Sequence, residues 1–456
     1  MLAVFALLVA HQASAIQATA LDVGERLRAI DVLWAETPAL DRRIAASPLI
    51  QEGVVFAGAG RNSEACEFLD KAAAELSGGE VSAGDAVTLR FSSPVVEPGK
   101  SAELRLGWAY LPSKPDAVSV AVAGRTVQLL PGRSVTVEVN PAWGEPDLAL
   151  TPEIGYAVPI TVGTKSRTAY LTILKGGRQR IDTLSRATDP QARDLGLELQ
   201  RLLAEPLTWT HETPILDWVY VGEQLDQGRK KLSELARLPF ARHKQTVFRA
   251  EFPRQARGKT PPPDPQVVLI AVPSPTGGES SFFESYGRGR VALEAERRGW
   301  VFVSVRSSPS ALEDALEWLQ QVRGIRIRHL VVMGHGQGAG VALSAASLPI
   351  KPAAAAILAP NQASFLREWI ELPLYLSVGL GDGGRLRASV ESLAREIGER
   401  PDFRFDQIPN CEHFTVVAES IPTVFEFFDR FVPPVLPEPN PDGGESRSIP
   451  PSGLDS

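Results

Sequence analysis

Apolar and polar positions change rhythm along the chain, and each rhythm predicts a different kind of element. From residue 20 to about 78 the apolar residues recur at helical spacing. Leu21, Val23, Leu27, Ile30, Leu33 and Trp34 approximate one face, and Phe68, Leu69, Ala72 and Leu76 another, before Gly78-Gly79 closes the run. This predicts a helical packing element without chemistry of its own. From about 84 to 175 the period falls to two, in the runs 87–91, 102–106, 118–122 and 135–139, with turn signals at Pro98-Gly99, Gly124 and Pro131-Gly132. Short strands at this spacing predict a small antiparallel sandwich of the immunoglobulin-like kind.

Helical spacing returns between about 180 and 240. Asp189-Pro190 reads as an N-cap with proline at the first helical position, opening a helix with Leu195, Leu199, Leu202 and Leu203 on one face. Trp209, Trp218 and Tyr220 follow, and such an aromatic stripe is more often core than a ligand groove. The Pro-rich stretch from Thr260 to Pro265 interrupts what reads as a strand hairpin. Beyond it, near-continuous apolar strands alternate with helices at 267–272, 301–305, 329–333, 353–359, 374–378 and 403–405. That pattern predicts a mostly parallel sheet covered on both faces, the α/β class, with ligands at the carboxyl ends of its strands. The division expected is 1–15 leader, 16–80 helical, 81–177 β-sandwich, 178–245 helical, 246–432 α/β, and a Pro-, Gly- and Ser-rich tail over 433–456 expected to be disordered.

Composition narrows the functions. A net charge of −7 with no basic face interleaved with aromatics argues against a nucleic-acid or anionic-membrane partner. Cys66 and Cys411 form no CxxC and fall in different predicted domains, which argues against a disulfide; the six scattered histidines form no metal-ligand spacing. No metal or cofactor is implied. The apolar run at residues 1–10, followed by Ala13-Ser14-Ala15, reads as a signal-peptide core with a small-x-small cleavage site, although no Lys or Arg precedes it. The expected location is therefore secreted or periplasmic, the alternative being a buried first helix. No other stretch is long and apolar enough for a transmembrane helix.

The chemistry is expected in residues 246–432. The strand at 329–333 runs into Gly334-His335-Gly336-Gln337-Gly338-Ala339-Gly340 and then an apolar helix, the context of a G-x-S-x-G nucleophile elbow. A phosphate-binding turn is the alternative for Gly-x-Gly-x-Gly alone, but this one comes late in its domain and no ribose-binding acid follows as expected. The strand at 374–378 leads into Gly379-Leu380-Gly381-Asp382, and Asn410-Cys411-Glu412-His413-Phe414 follows later. Singly, Asp382 reads as a turn residue and His413 as a loop histidine. Together, in the order nucleophile slot, acid, histidine, these motifs resemble the α/β-hydrolase superfamily. The resemblance extends to its secreted esterase and peptidase branch, including polyhydroxybutyrate-depolymerase-like and prolyl-oligopeptidase-like enzymes, through Gly277-Gly278, the run 282–287 and Arg298-Gly299-Trp300. It covers roughly 190 of the residues, and implies a triad at the positions of Gly336, Asp382 and His413.

Two departures qualify what the resemblance implies. Gly336 stands where the attacking serine belongs and has no side chain to attack with. The loop after 267–272 reads Pro273-Ser274-Pro275-Thr276-Gly277 where many relatives carry His-Gly beside the oxyanion hole; proline has no amide hydrogen to donate, while the Gln337 amide can. Three readings follow. One is a pseudoenzyme or binding module for a carbonyl-bearing small molecule or peptide. The second is an ester or peptide hydrolase using a water activated by His413 and Asp382, or a surrogate serine among Ser274, Ser280 and Ser281. The third is a structural cell-surface contact module in which the sandwich carries the function.

Overall fold

The structure, a computed structural model, describes residues 18–113, 115–140, 153–204, 215–253, 266–274, 277–361 and 372–432. The expected leader, Trp209, the loop Thr260 to Pro265, the pair Pro275-Thr276 and the tail from Pro433 lie outside them. No described helix is long and apolar enough to cross a membrane.

Three helices open the chain: α1 (Ala20–Glu36), α2 (Leu40–Gly58) and α3 (Asn62–Ser77). The apolar residues picked out by spacing face inward: Val23, Leu27, Ile30 and Trp34 of α1 and Leu69, Ala72 and Leu76 of α3 are buried. Gly53 lets α2 approach α3, because a Cβ there would lie 2.7 Å from Leu69 Cδ2. Eight strands follow: β1 (Val87–Phe91), β2 (Val95–Val96), β3 (Ala102–Trp108), β4 (Val118–Val122), β5 (Arg125–Leu129), β6 (Val135–Val139), β7 (Glu153–Val162) and β8 (Lys165–Leu174). They make two sheets, of order β1-β3-β6 and β2-β8-β7-β4-β5. Buried residues of both, among them Leu104, Leu106, Val120 and Ile160, join α1 and α3 in one apolar cluster.

Helices α4 (Gly177–Leu184), α5 (Pro190–Ala204) and α6 (Ile215–Asp226) come next. Asp189 caps α5 as expected, its Oδ1 accepting from Ala192 N at 2.9 Å. The aromatic stripe divides: Trp218 is buried, whereas Tyr220 is 51% exposed and is not core.

The large sheet begins earlier than the hydrophobic pattern implies, at Arg237 rather than at 246. Its strands are β9 (Arg237–His243), β10 (Thr246–Glu251), β11 (Gln266–Val272), β12 (Val301–Val305), β13 (Ile327–His335), β14 (Ala354–Leu358), β15 (Leu374–Gly379) and β16 (Phe403–Ile408). Their spatial order is β16-β15-β14-β13-β11-β12-β10-β9. From β12 to β16 every pairing is parallel, and β10 runs antiparallel to both of its neighbours. The connecting helices are α7 (Ser281–Glu284), α8 (Tyr286–Arg297), α9 (Ala311–Glu317), α10 (Gly338–Ser344), α11 (Gly384–Ile397) and α12 (Thr415–Asp429).

Burial alternates between the two faces of this sheet, as a period of two requires. Val267, Leu269, Val331 and Met333 pack with residues of α8, α12 and the N-terminal helices, while Val268, Ile270, Leu330 and Val332 pack with α9, α10 and α11. The strands that follow β11 in the chain lie on opposite sides of it, β12 on one and β13 on the other. The crevice at the carboxyl ends of β11 and β13 is therefore a topological switch point, where open α/β sheets bind ligands.

Candidate functional site

Gly334, Gly336 and Gly338 each meet a different demand of the turn between β13 and α10. A Cβ on Gly334 would lie 2.7 Å from Ala339 Cα, and one on Gly338 would run into the carbonyl oxygens of Val272 and Pro273. Both glycines therefore permit the close passage of helix and strand. Gly336 differs: it adopts φ +57, the left-handed region that costs glycine almost nothing. Its N–H donates to Leu358 O at 3.1 Å, and its carbonyl accepts from Asn361 N at 3.3 Å.

A side chain at Gly336 would enter a volume walled by three polar atoms. Its Cβ would run into Ser274 Oγ and lie 3.0 Å from His413 Nε2 and 3.4 Å from Asn361 Oδ1. Ser274, at the end of β11, thus joins His413 at the tip of the turn, whereas the other two candidate serines do not. Ser280 Oγ accepts from Arg249 Nη1 at 3.4 Å, and Ser281 is buried against Gly277 instead. The Ser274 hydroxyl donates to His335 O at 3.4 Å. The Gly277 N–H donates to Ser274 O at 2.8 Å. Gln337 is exposed and stands at the N-cap position of α10 without a side-chain capping bond.

Asp382 and His413 arrive from the ends of β15 and β16. Asp382 Oδ2 accepts from Gly379 N at 2.9 Å, which fixes the carboxylate over the strand end. Its Oδ1 has no hydrogen-bond partner among the described residues and stands 3.8 Å from His413 Nδ1. That separation admits an ion pair but exceeds a hydrogen bond. The chemistry argues against the ion pair: burial, and then His335, pushes the His413 imidazole down to about 3, so the ring is neutral at neutral pH. Burial, and then the Glu412 charge, lifts the Asp382 carboxyl to about 7. Glu412 is itself buried and raised to about 7, although it accepts from Phe414 N at 2.6 Å and Thr415 N at 2.9 Å.

Three contributors escaped the sequence reading. His335 is buried, with Nε2 2.9 Å from His413 O and Nδ1 3.0 Å from the Tyr286 hydroxyl. A carbonyl can only accept, so Nε2 carries the proton and Nδ1 accepts from the phenol. Burial holds this imidazole down at about 4. Asn361, after β14, belongs to no motif. Gln51 of α2 reaches the site from the N-terminal helices, its Oε1 accepting from His413 N at 3.4 Å. Its place inside the elbow motif is the one signal the sequence offers for His335; nothing in the sequence marks Asn361 or Gln51.

Among the described residues no group of His, Cys, Asp and Glu is arranged to hold a metal. Cys66 and Cys411 are both buried and unpaired. The arrangement can hydrogen-bond a neutral polar ligand through Ser274, His413 and Asn361. It places no side chain at the elbow itself.

No family model matches the chain, and no curated relative does. Solved structures with similar coordinates include dienelactone hydrolase from Anabaena variabilis, at 17% identity, covering 41% of this chain and 93% of that one with a TM-score of 0.32. S-formylglutathione hydrolase from Staphylococcus aureus is 11% identical, covers 40% and 92%, and scores 0.33. An esterase from Pyrococcus furiosus is 12% identical, covers 43% and 90%, and scores 0.32. With its strand order, antiparallel second strand, switch-point crevice and strand–turn–helix elbow, the region from Arg237 to Asp429 has the α/β-hydrolase fold.

Proposed function

We propose that this chain is a pseudoenzyme: an exported binding module of α/β-hydrolase fold whose crevice takes a neutral, carbonyl-bearing small molecule or peptide. One observation carries the reading. The volume at the elbow is flanked by the Ser274 hydroxyl, whose hydrogen bond goes to the His335 carbonyl and not to the His413 imidazole. Serine catalysis needs a nucleophile bonded to its base and a base oriented by its acid. Here Gly336 supplies no nucleophile, and the 3.8 Å from His413 Nδ1 to Asp382 Oδ1 leaves the base unoriented. Donors and acceptors remain for a carbonyl ligand: the Ser274 hydroxyl, the neutral His413 ring and the Asn361 amide.

A second reading has its own observation. Ser274 Oγ and His413 Nε2 border the same small volume, so a short rotation of the serine would place its hydroxyl on the imidazole. Hydrolysis would then proceed through Ser274 as a displaced nucleophile, with the Gln337 amide facing the developing oxyanion.

Labelling with a fluorophosphonate probe separates the two. For the binding module, the parent protein stays unlabelled and turns over no short-chain nitrophenyl ester, while Gly336→Ser gains labelling. Labelling of the parent that disappears in Ser274→Ala would establish the displaced nucleophile instead. Export is tested separately, by N-terminal sequencing of the mature protein, which should begin after Ala15.

A further inference from the structure

On the edge of the large sheet opposite the elbow, Arg323 is buried with no anionic partner among the described residues. It follows a short π-helical segment (Trp318–Val322) that continues α9, and irregular turns of this kind recur at functional sites. The residue is 4% exposed. Its Nη2 donates to Leu235 O at 2.7 Å, which fixes one edge of the guanidinium. Nε and Nη1 have no acceptor among the described residues, and neither does the buried Trp318 Nε1 beside it. The guanidinium carbon lies 3.9 Å over the Phe252 ring and 5.5 Å from the Trp318 ring.

A ring face offsets only part of the cost of desolvating a cation, and one carbonyl adds a dipole but no opposite charge. The other buried arginine among the described residues is handled differently: Arg26 has Asp70 at 2.9 Å. Burial alone lowers Arg323, to about 9, which leaves it a cation at neutral pH. Donors without acceptors thus converge beside a charge without a counterion. The backbone on either side of it lies at the surface, where Val322 is 39% exposed and a Cβ on Gly324 would meet nothing within 4 Å.

We propose that Arg323, with the Trp318 indole N–H, is a binding site for an oxyanion, carboxylate or phosphate, delivered from solvent and distinct from the elbow crevice. The planar guanidinium favours ligands with two or more oxygens over a spherical halide.

The test titrates phosphate, acetate and chloride at constant ionic strength while the melting temperature is followed. One oxyanion should raise Tm saturably by a few degrees above chloride, and which of the two does so identifies the ligand class. Arg323→Met keeps the stem and removes the charge, and should abolish the difference. Because that variant can fail to fold, the parent protein is also titrated by NMR, where the Arg323 Nε–H resonance should shift saturably with the same anion. Equal Tm changes with all three salts, or an Arg323 resonance that stays put, would overturn the site.

Discussion

The ring of His335 donates from Nε2 to the carbonyl oxygen of His413 across 2.9 Å. A histidine inside the elbow therefore holds the backbone of the histidine beside it, and the two ring centroids lie 4.7 Å apart. Tyr286 completes the arrangement by donating its hydroxyl to His335 Nδ1 at 3.0 Å. All three residues are buried, so each donor and acceptor in the chain has to be matched inside the protein.

Tyr286→Phe deletes a single hydroxyl and leaves His335 Nδ1 without a donor. A buried acceptor stripped of its partner costs about 1–3 kcal/mol. The variant should lose stability in that range by urea denaturation at pH 7, with its m-value unchanged. A loss under about 0.5 kcal/mol, below the cost of an unmet buried acceptor, would show that the hydroxyl does not hold the ring.

The four buried titratable groups at the site pull the pH dependence of stability in opposite directions. His335 and His413 are lowered from 6.5 to about 4 and about 3. Their contribution is complete above pH 6.5 and is lost as pH falls toward the folded values, because the unfolded chain takes up protons that the folded chain refuses. Asp382 and Glu412 are raised from 3.8 and 4.5 to about 7. Their contribution is complete below the ordinary carboxyl range and is lost as pH rises through 7. Between pH 4.5 and 6.5 two protons gained offset two protons lost, so these groups should leave stability nearly flat. Asp382→Asn removes one carboxyl and the like charge on Glu412. Stability should then fall as pH drops from 6.5 to 4.5, by about 1.4 kcal/mol per pH unit for each uncompensated proton. Urea midpoints across pH 4.5–8 measure this, and superimposable profiles for variant and parent would refute it.

The elbow glycines should differ sharply in what they tolerate. Gly338→Ala drives a methyl into the carbonyl oxygens of Val272 and Pro273, which are backbone and cannot rotate away. A loss of about 3 kcal/mol or more is expected, at the upper end for overpacking. Gly336→Ser meets the ends of side chains instead, and its φ of +57 costs a residue with a Cβ about 1–2 kcal/mol. Thermal denaturation of the two variants checks the ranking, and the reverse order would mean that the turn is built differently.

Much of the elbow was legible because backbone geometry dictated it. Gly334, Gly336 and Gly338 stand at positions where sterics exclude a side chain or φ is left-handed, and Asp382 and His413 follow strand ends that apolar runs announce. Strand β9 was not legible: Pro239 and the charged residues Arg237, Arg242 and His243 break its apolar run, so the hydrophobic pattern places the start of the sheet at Thr246. The support beneath His413 was equally hidden, for a different reason. His335, Tyr286 and Gln51 act through contacts 49 to 362 residues apart, which no local period records. Tyr286 and Arg288 adopt φ of +58, a conformation that nothing in a tyrosine or an arginine announces.

That left-handed turn is held from the N-terminal helices. Tyr286, Gly287, Arg288 and Gly289 have φ between +58 and +79 in succession, and non-glycine residues hold such a conformation only when their surroundings enforce it. Asp31 of α1 is the enforcing group. Its two oxygens accept from Gly287 N at 2.8 and 3.0 Å, and one of them accepts from Arg288 N at 2.9 Å. Burial raises the Asp31 carboxyl, and those amides oppose the rise. Asp31→Ala leaves both amides unmet and should cost about 2–3 kcal/mol, whereas Asp31→Asn keeps one acceptor oxygen and should cost about half as much. Because Tyr286 carries the bond to His335, loosening the turn should also move the His413 ring resonances in NMR spectra. A destabilised Asp31→Ala protein with unchanged His413 resonances would confine Asp31 to holding the helix in place. Movement of both together would make the N-terminal helices part of the machinery that sets the site.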